Sequence, residues 1–230
     1  MIKAGIDQDA LITQFAQATA KQGAALRKAV SEATLKALQG RELTLANIRS
    51  VLASVTQAAS AGAAESKLPM PDVEAMLGQA FAGMDAALLK TVEAQRMALE
   101  QFVSQGIDVQ GRQMKSALDN LEKMEDLFFG AVGKAVQGLD TPIKGPWDHV
   151  LESMKVKGTS TGAQASETVE QMLSQTQSAL RDGRATGLRA TQALMESYAT
   201  LVSGVLIGMS EGLKQAAPDK PAPKAGARRS

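Results

Sequence analysis

The stretch "WDHVLE" (147–152) holds the single histidine of a 230-residue chain, His149, with Asp148 beside it and Glu152 three positions on. Helical spacing puts Glu152 within reach of the imidazole, so a general base or a metal ligand is the chemistry this pair could support. A zinc site needs more nitrogen or sulfur donors than one histidine in a cysteine-free chain provides. A Ser-His-Asp arrangement would have to run through the same histidine, and no serine pattern points to it. His149 reads as a surface or capping residue. The second stretch is "KGTSTG" (157–162). Its glycines and hydroxyls resemble a phosphate-binding loop, but Gly162 is followed by Ala163 and Gln164 where such a loop needs Lys and Ser/Thr. It reads as a turn whose hydroxyls cap the following helix. Glu122, Glu125 and Asp126 alternate with Lys115 and Lys123 at helical spacing, as on a solvated face. No catalytic residue, metal site or cofactor is expected, and the chain reads as a non-enzyme.

The elements that must carry these residues are helices. Alternating β-branched or aromatic runs are absent, and aromatics make up 3% of the chain against 44% hydrophobic residues overall. Alanine, leucine, valine and 11 methionines therefore do the packing. Such side chains bury little area each, at about 25 cal/mol per Å². Methionine suits either a core or a pliable apolar surface. The seven prolines fall in three clusters, at 69–71, 142–146 and 218–223, which cut the chain into three helix-permitting blocks and a tail.

The first block, 1–64, reads as a helical hairpin. One helix runs from a cap at Asp7 to Gly40, and a second is capped by Thr44 and carries Leu45, Ile48, Leu52 and Val55 on one face. Residues 65–71 form a linker. The second block, 72–139, shows an eleven-residue repeat. Leu77, Leu88, Leu99, Gln110, Leu121 and Val132 form one series; Phe81, Val92, Val103, Met114, Glu125 and Val136 form another. A third is Val73, Met84, Gln95, Gly106, Ala117 and Phe128. Eleven residues in three turns keep a stripe on one side of an α-helix. Read as one rod, this block would be about 100 Å long. Gly106, Gln110 and Gly111 interrupt the stripe at 104–113, where the chain either bends into a hairpin or continues; the spacing favours continuation, since glycine costs only about 1 kcal/mol in a helix.

Residues 140–165 read as a short helix from Trp147 to Val156 followed by a loop, with the lone tryptophan anchoring a helix corner. A further long helix is expected over 166–216, with a polar waist at 181–189. Leu194, Tyr198, Leu201, Val202, Val205 and Met209 lie on or beside its apolar face. The oily strip Ala199–Met209 is too short for a bilayer span, which needs about 20 apolar residues, and so belongs to this helix. Residues 217–230 form a basic Pro/Ala tail expected to be disordered. Lys214, Lys220, Lys224, Arg228 and Arg229 against Asp219 give the end of the chain a local charge of +4, while the whole chain carries +1. Lys220, Lys224, Arg228 and Arg229 are the candidate contacts to an anionic partner. The start, "MIKAGIDQDALITQF", does not fit a secretory signal.

Long alanine- and methionine-bearing amphipathic helices, few aromatics, no cysteine and the "PDKPAPKAGARRS" tail resemble bacterial phasins. The resemblance implies an elongated all-α helical bundle that is cytoplasmic, oligomeric and associated with polyhydroxyalkanoate granules. No site residue carries over, and the aromatic-rich amphipathic segment common near the start of a phasin domain is represented here by Phe15 almost alone. An uncharacterised family of helical proteobacterial proteins fits the same pattern. The residues themselves lead to a related expectation. Rods this long should have more apolar stripe than one molecule can hide, leaving Leu77, Phe81, Leu88, Leu99, Phe102, Leu121, Phe128, Leu194, Tyr198, Val202, Val205 and Met209 to meet a hydrophobic inclusion, a lipid surface, a protein partner or a second copy in a coiled-coil-like assembly. The alternative is a nucleoid-associated or adaptor protein that uses the basic tail to reach nucleic acid.

Overall fold

The computed structural model describes residues 9–10, 12–13, 23–39, 43–66, 68–104, 112–139, 141–181, 202 and 205–207. The fold is all-α, with no strand among these residues. Seven helices can be given bounds among the described residues: α1 (Gly23–Gln39), α2 (Leu45–Glu65), α3 (Met70–Ser104), α4 (Arg112–Glu122), α5 (Met124–Gln137), α6 (Thr141–Lys157) and α7 (Ser160–Arg181). The disordered tail expected over 217–230 and the waist at 181–189, apart from Arg181, lie outside the described residues.

The first helix boundaries follow from local chemistry. Thr44 caps α2, its hydroxyl accepting from the Asn47 amide at 3.2 Å. Ser66 ends it, in extended conformation, with its amide donating back to Gly62 and Ala63. Pro71 and Asp72 then sit in the first turn of α3, where a missing N–H and a carboxylate are both tolerated or favoured.

The expected single rod over 72–138 is not formed. α3 ends at Ser104, and the chain resumes as α4 and α5, which run on from one another through Lys123 with only a one-residue interruption. The rings of Phe81 (α3) and Phe128 (α5) stack at 4.4 Å, and Phe129 lies 5.6 Å from Phe81. A straight helix would hold Phe81 and Phe128 about 70 Å apart. The chain therefore doubles back between them. The two halves of the stripe meet through these rings but are covered mainly by other helices, α3 by α1, α2, α6 and α7, and α5 by α2.

α3, about 52 Å long at 1.5 Å per residue, is the spine. α1, α2, α6 and α7 all pack on it, and α2 also rests on α5. α1 approaches closely because Gly83 has no side chain. A Cβ there would meet the Arg27 carbonyl at 2.6 Å and the Val30 Cβ at 2.8 Å. α2 is buried on more than one face, from Ile48 through Val51, Leu52, Val55 and Ala59 to Ala63. The buried hydroxyls of Thr34, Thr56, Ser60, Thr91 and Thr168 each donate to the carbonyl four residues earlier, which removes their cost in an apolar interior. One continuous hydrophobic cluster includes residues of all seven helices, together with Val202 and Leu206. α1 and α2 are thus part of a shared core.

α6 starts at Thr141, six residues before the expected Trp147, and holds Pro146 in its interior. The proline gives up one backbone hydrogen bond one turn into the helix. In return Ile143, Trp147, Val150 and Leu151 (i, i+4, i+7, i+8) present one buried face. α7 likewise starts at Ser160 and not at Ser166.

Candidate functional site

The candidate contact residues that the structure describes point inward. Leu77, Phe81, Leu88, Leu99 and Phe102 on α3, Leu121 on α4, Phe128 on α5 and Val202 are each at most 1% exposed, and Val205 is half-buried. The expected surplus of open stripe is therefore absent at these positions. α1, α2, α6 and α7 packed on α3, α2 packed on α5 and α7 packed on α4 supply the faces that isolated rods would lack. Leu194, Tyr198, Met209 and the tail cations Lys220, Lys224, Arg228 and Arg229 lie outside the described residues. The end of the oily strip joins the core: Leu206 is fully buried, and its carbonyl accepts from the Gln39 amide at 3.3 Å.

The "KGTSTG" stretch is the most highly organised polar site among the described residues. Gly158 closes α6 at φ 73°, its amide donating to Met154, a left-handed turn that favours glycine. Thr159 then caps α7, its hydroxyl accepting from the Gly162 amide at 2.9 Å. Two carboxylates from other helices complete the cap. Glu125 of α5 accepts from the Thr159 amide (2.9 Å) and hydroxyl (2.7 Å). Asp85 of α3 accepts from the Ser160 and Thr161 amides (3.0 Å each), and from the Thr161 hydroxyl (2.6 Å). The amides that open a helix are normally left without partners and carry its positive pole. Here the protein's own Asp85 and Glu125 occupy the positions a bound anion would take. A Cβ at Gly162 would collide with the Glu125 carboxylate. The geometry staples three helices together and leaves no open cradle for phosphate. Glu125, which interrupts an apolar series in the sequence, is thus explained, and its partners 34 residues away carried no local signal.

His149 is largely exposed and lies 3.3 Å from Glu74 of α3, with neither Asp148 nor Glu152 as its partner. Among the described residues no group of three His, Asp or Glu side chains could hold a metal ion. Trp147 is fully buried, and its Nε1 donates to Ser60 Oγ at 2.9 Å, which in turn donates to the Thr56 carbonyl at 2.6 Å. It anchors the α6 corner on α2, within its own fold. Of the methionines, Met76, Met84, Met124 and Met172 are core residues, whereas Met70 and Met97 are exposed.

A cleft of about 450 Å³ lies where the C-terminal end of α2, the start of α3 and the α5–α6 corner meet. Ser60, Val73 and Ile143 are buried residues of its lining, and Ala64, Met70 and Pro142 are exposed ones. No helix of the described residues is long and apolar enough to cross a membrane.

Comparison with curated proteins and with solved structures returns no significant match in either set. Residues 1–215 match a family described as a family of unknown function (DUF6781), and the chain belongs to that family.

Proposed function

We propose that the protein is a non-enzymatic amphipathic-helix protein that associates with a hydrophobic inclusion in a phasin-like manner, or with a helical partner. The observation that carries this reading is the make-up of its interior. The core is one continuous cluster built from helix faces, in which alanine takes a large share of positions between Ala37 and Ala165. Contacts between such helices are individually thin, so a helix that leaves the bundle takes with it a stripe fit to lie on an apolar phase. Because Leu77, Phe81, Leu88, Leu99 and Phe128 are covered in the closed bundle, association of this kind requires opening. Their helices carry mixed charges, which favours a neutral inclusion over anionic lipid.

The test is to mix the purified protein with polyhydroxyalkanoate granules, separate the phases and follow amide exchange. The expected result is recovery with the granules and loss of protection in α3–α5. Recovery solely in the soluble phase, both here and in cells induced to store granules, overturns the reading. A second reading rests on the +4 charge at the end of the sequence: the tail holds nucleic acid. It requires binding that collapses as salt rises and that is lost on deletion of residues 217–230, a deletion that leaves granule recovery nearly unchanged if the first reading holds.

A further inference from the structure

We infer that the apolar face of α4 is the surface that meets the apolar phase, and that α7 is the arm that covers it and swings away about Gly158. The inference rests on the reading above and names where the bundle opens. α4 divides along its length: Ala117, Leu118 and Leu121 are buried, whereas Lys115, Ser116 and Glu122 are exposed. Steps of one, three and four residues put the buried three on one stripe. α4 packs mainly on α7, apart from its near-continuation α5, whereas α3 is covered by α1, α2, α6 and α7. Removing one helix, α7, therefore uncovers α4 and leaves most of α3 closed.

α7 is suited to be the helix that leaves. Over Ser160–Gln175, where its side chains are described, the larger apolar residues it buries are Val169 and Met172, with Ala165 beside them, and Leu173 is 49% exposed. α1 buries Leu26, Val30, Leu35 and Leu38, and α6 buries Ile143, Trp147, Val150 and Leu151. Apolar stabilisation scales with the area covered, so this stretch of α7 is held the most lightly of the three. The carboxylate cap pins its first turn, where the Thr161 hydroxyl also reaches the Asp85 carbonyl at 3.0 Å. Just before the pin, Gly158 is exposed, left-handed, and a Cβ there would meet nothing within 4 Å. A fixed end beside an unencumbered glycine is the geometry of a pivot, and local openings draw on the weakly packed elements. Arg112 and Lys115 balance Asp119 and Glu122 on α4, so its formal charge is zero, which suits a neutral apolar phase over anionic lipid.

The chain has no cysteine, so a single introduced thiol reports on one face. Leu118→Cys and Ser116→Cys on α4, and Val30→Cys on α1, are made in the full-length protein and alkylated with iodoacetamide in solution. Amide exchange is followed on the natural chain. The expected result is alkylation of Leu118→Cys at least tenfold faster than of Val30→Cys, with amides 165–175 exchanging at least tenfold faster than those of α1. Equal rates overturn the arm; if Leu118→Cys loses helicity, exchange on the natural chain decides alone. On polyhydroxyalkanoate granules the thiol at 118 should become at least tenfold less reactive than in solution, while that at 116 stays reactive. A thiol at 118 that stays reactive on granules overturns α4 as the contact. Absence of the natural protein from the granules overturns the reading above, and the rates in solution still decide the arm.

Discussion

At the residue scale, positions that break the apolar pattern separate into those with a partner and those without. Ser60 and Trp147 form a buried polar pair inside an otherwise hydrophobic contact. Ser60→Ala leaves the indole N–H without its acceptor and should cost about 1–3 kcal/mol in denaturant unfolding. Trp147→Phe keeps most of the ring burial and should cost less, since the remaining hydroxyl still donates to Thr56. Gln95 is the opposite case: it is 5% exposed, occupies a place in an apolar series, and its Oε1 has no hydrogen-bond partner among the described residues. Replacing it with methionine removes a buried acceptor while keeping the length of the side chain, and should raise stability by about 1 kcal/mol. A midpoint below wild type would show that the amide serves a contact the methionine cannot reproduce. Gly83→Ala pushes a methyl into the Arg27 carbonyl and Val30, and should cost about 1–3 kcal/mol by overpacking.

At the element scale, the cap on α7 matters because its two carboxylates come from α3 and α5. Glu125→Ala and Asp85→Ala should each cost about 0.5–2 kcal/mol. Their effects should not simply add, since both act on one helix start. A double-mutant cycle on thermal unfolding measures this, and strict additivity would mean that the two carboxylates act separately. Much at this scale was legible in the sequence: helices across the described residues, the Thr44 cap, the hydroxyl cap in "GTSTG" and the breaks near the first two proline clusters. Two boundaries were not. Pro146 signals a helix start at Trp147, but the buried face shared by Ile143 and Trp147 carries α6 back to Thr141. The start of α7 at Ser160 depends on Asp85 and Glu125, far away in sequence, whereas local spacing alone begins the helix at Ser166.

At the scale of the whole molecule, the eleven-residue spacing correctly marked which residues are apolar and on which face, but not what covers them. Periodicity specifies a stripe and is silent on whether its partner is the same chain, another copy or an apolar phase. For the described residues of the stripe, such as Leu77, Leu88 and Leu99, the cover is other helices of the same chain, α1, α2, α6 and α7. The cleft was invisible for the same reason, because its lining comes from three separate helices and the turns between them. The cross-helix cap also bears on how the chain is assembled. Asp85 and Glu125 leave the ribosome before Thr159 does, several seconds earlier at the usual pace of about 5–20 residues per second. The acceptors can thus be in place when α7 emerges, so its first turn condenses onto a ready template. A permuted chain that begins at α7 would emerge with that helix's leading amides bare, and should gain protease resistance later during synthesis than the natural order, with no such difference when the two full-length chains refold from denaturant.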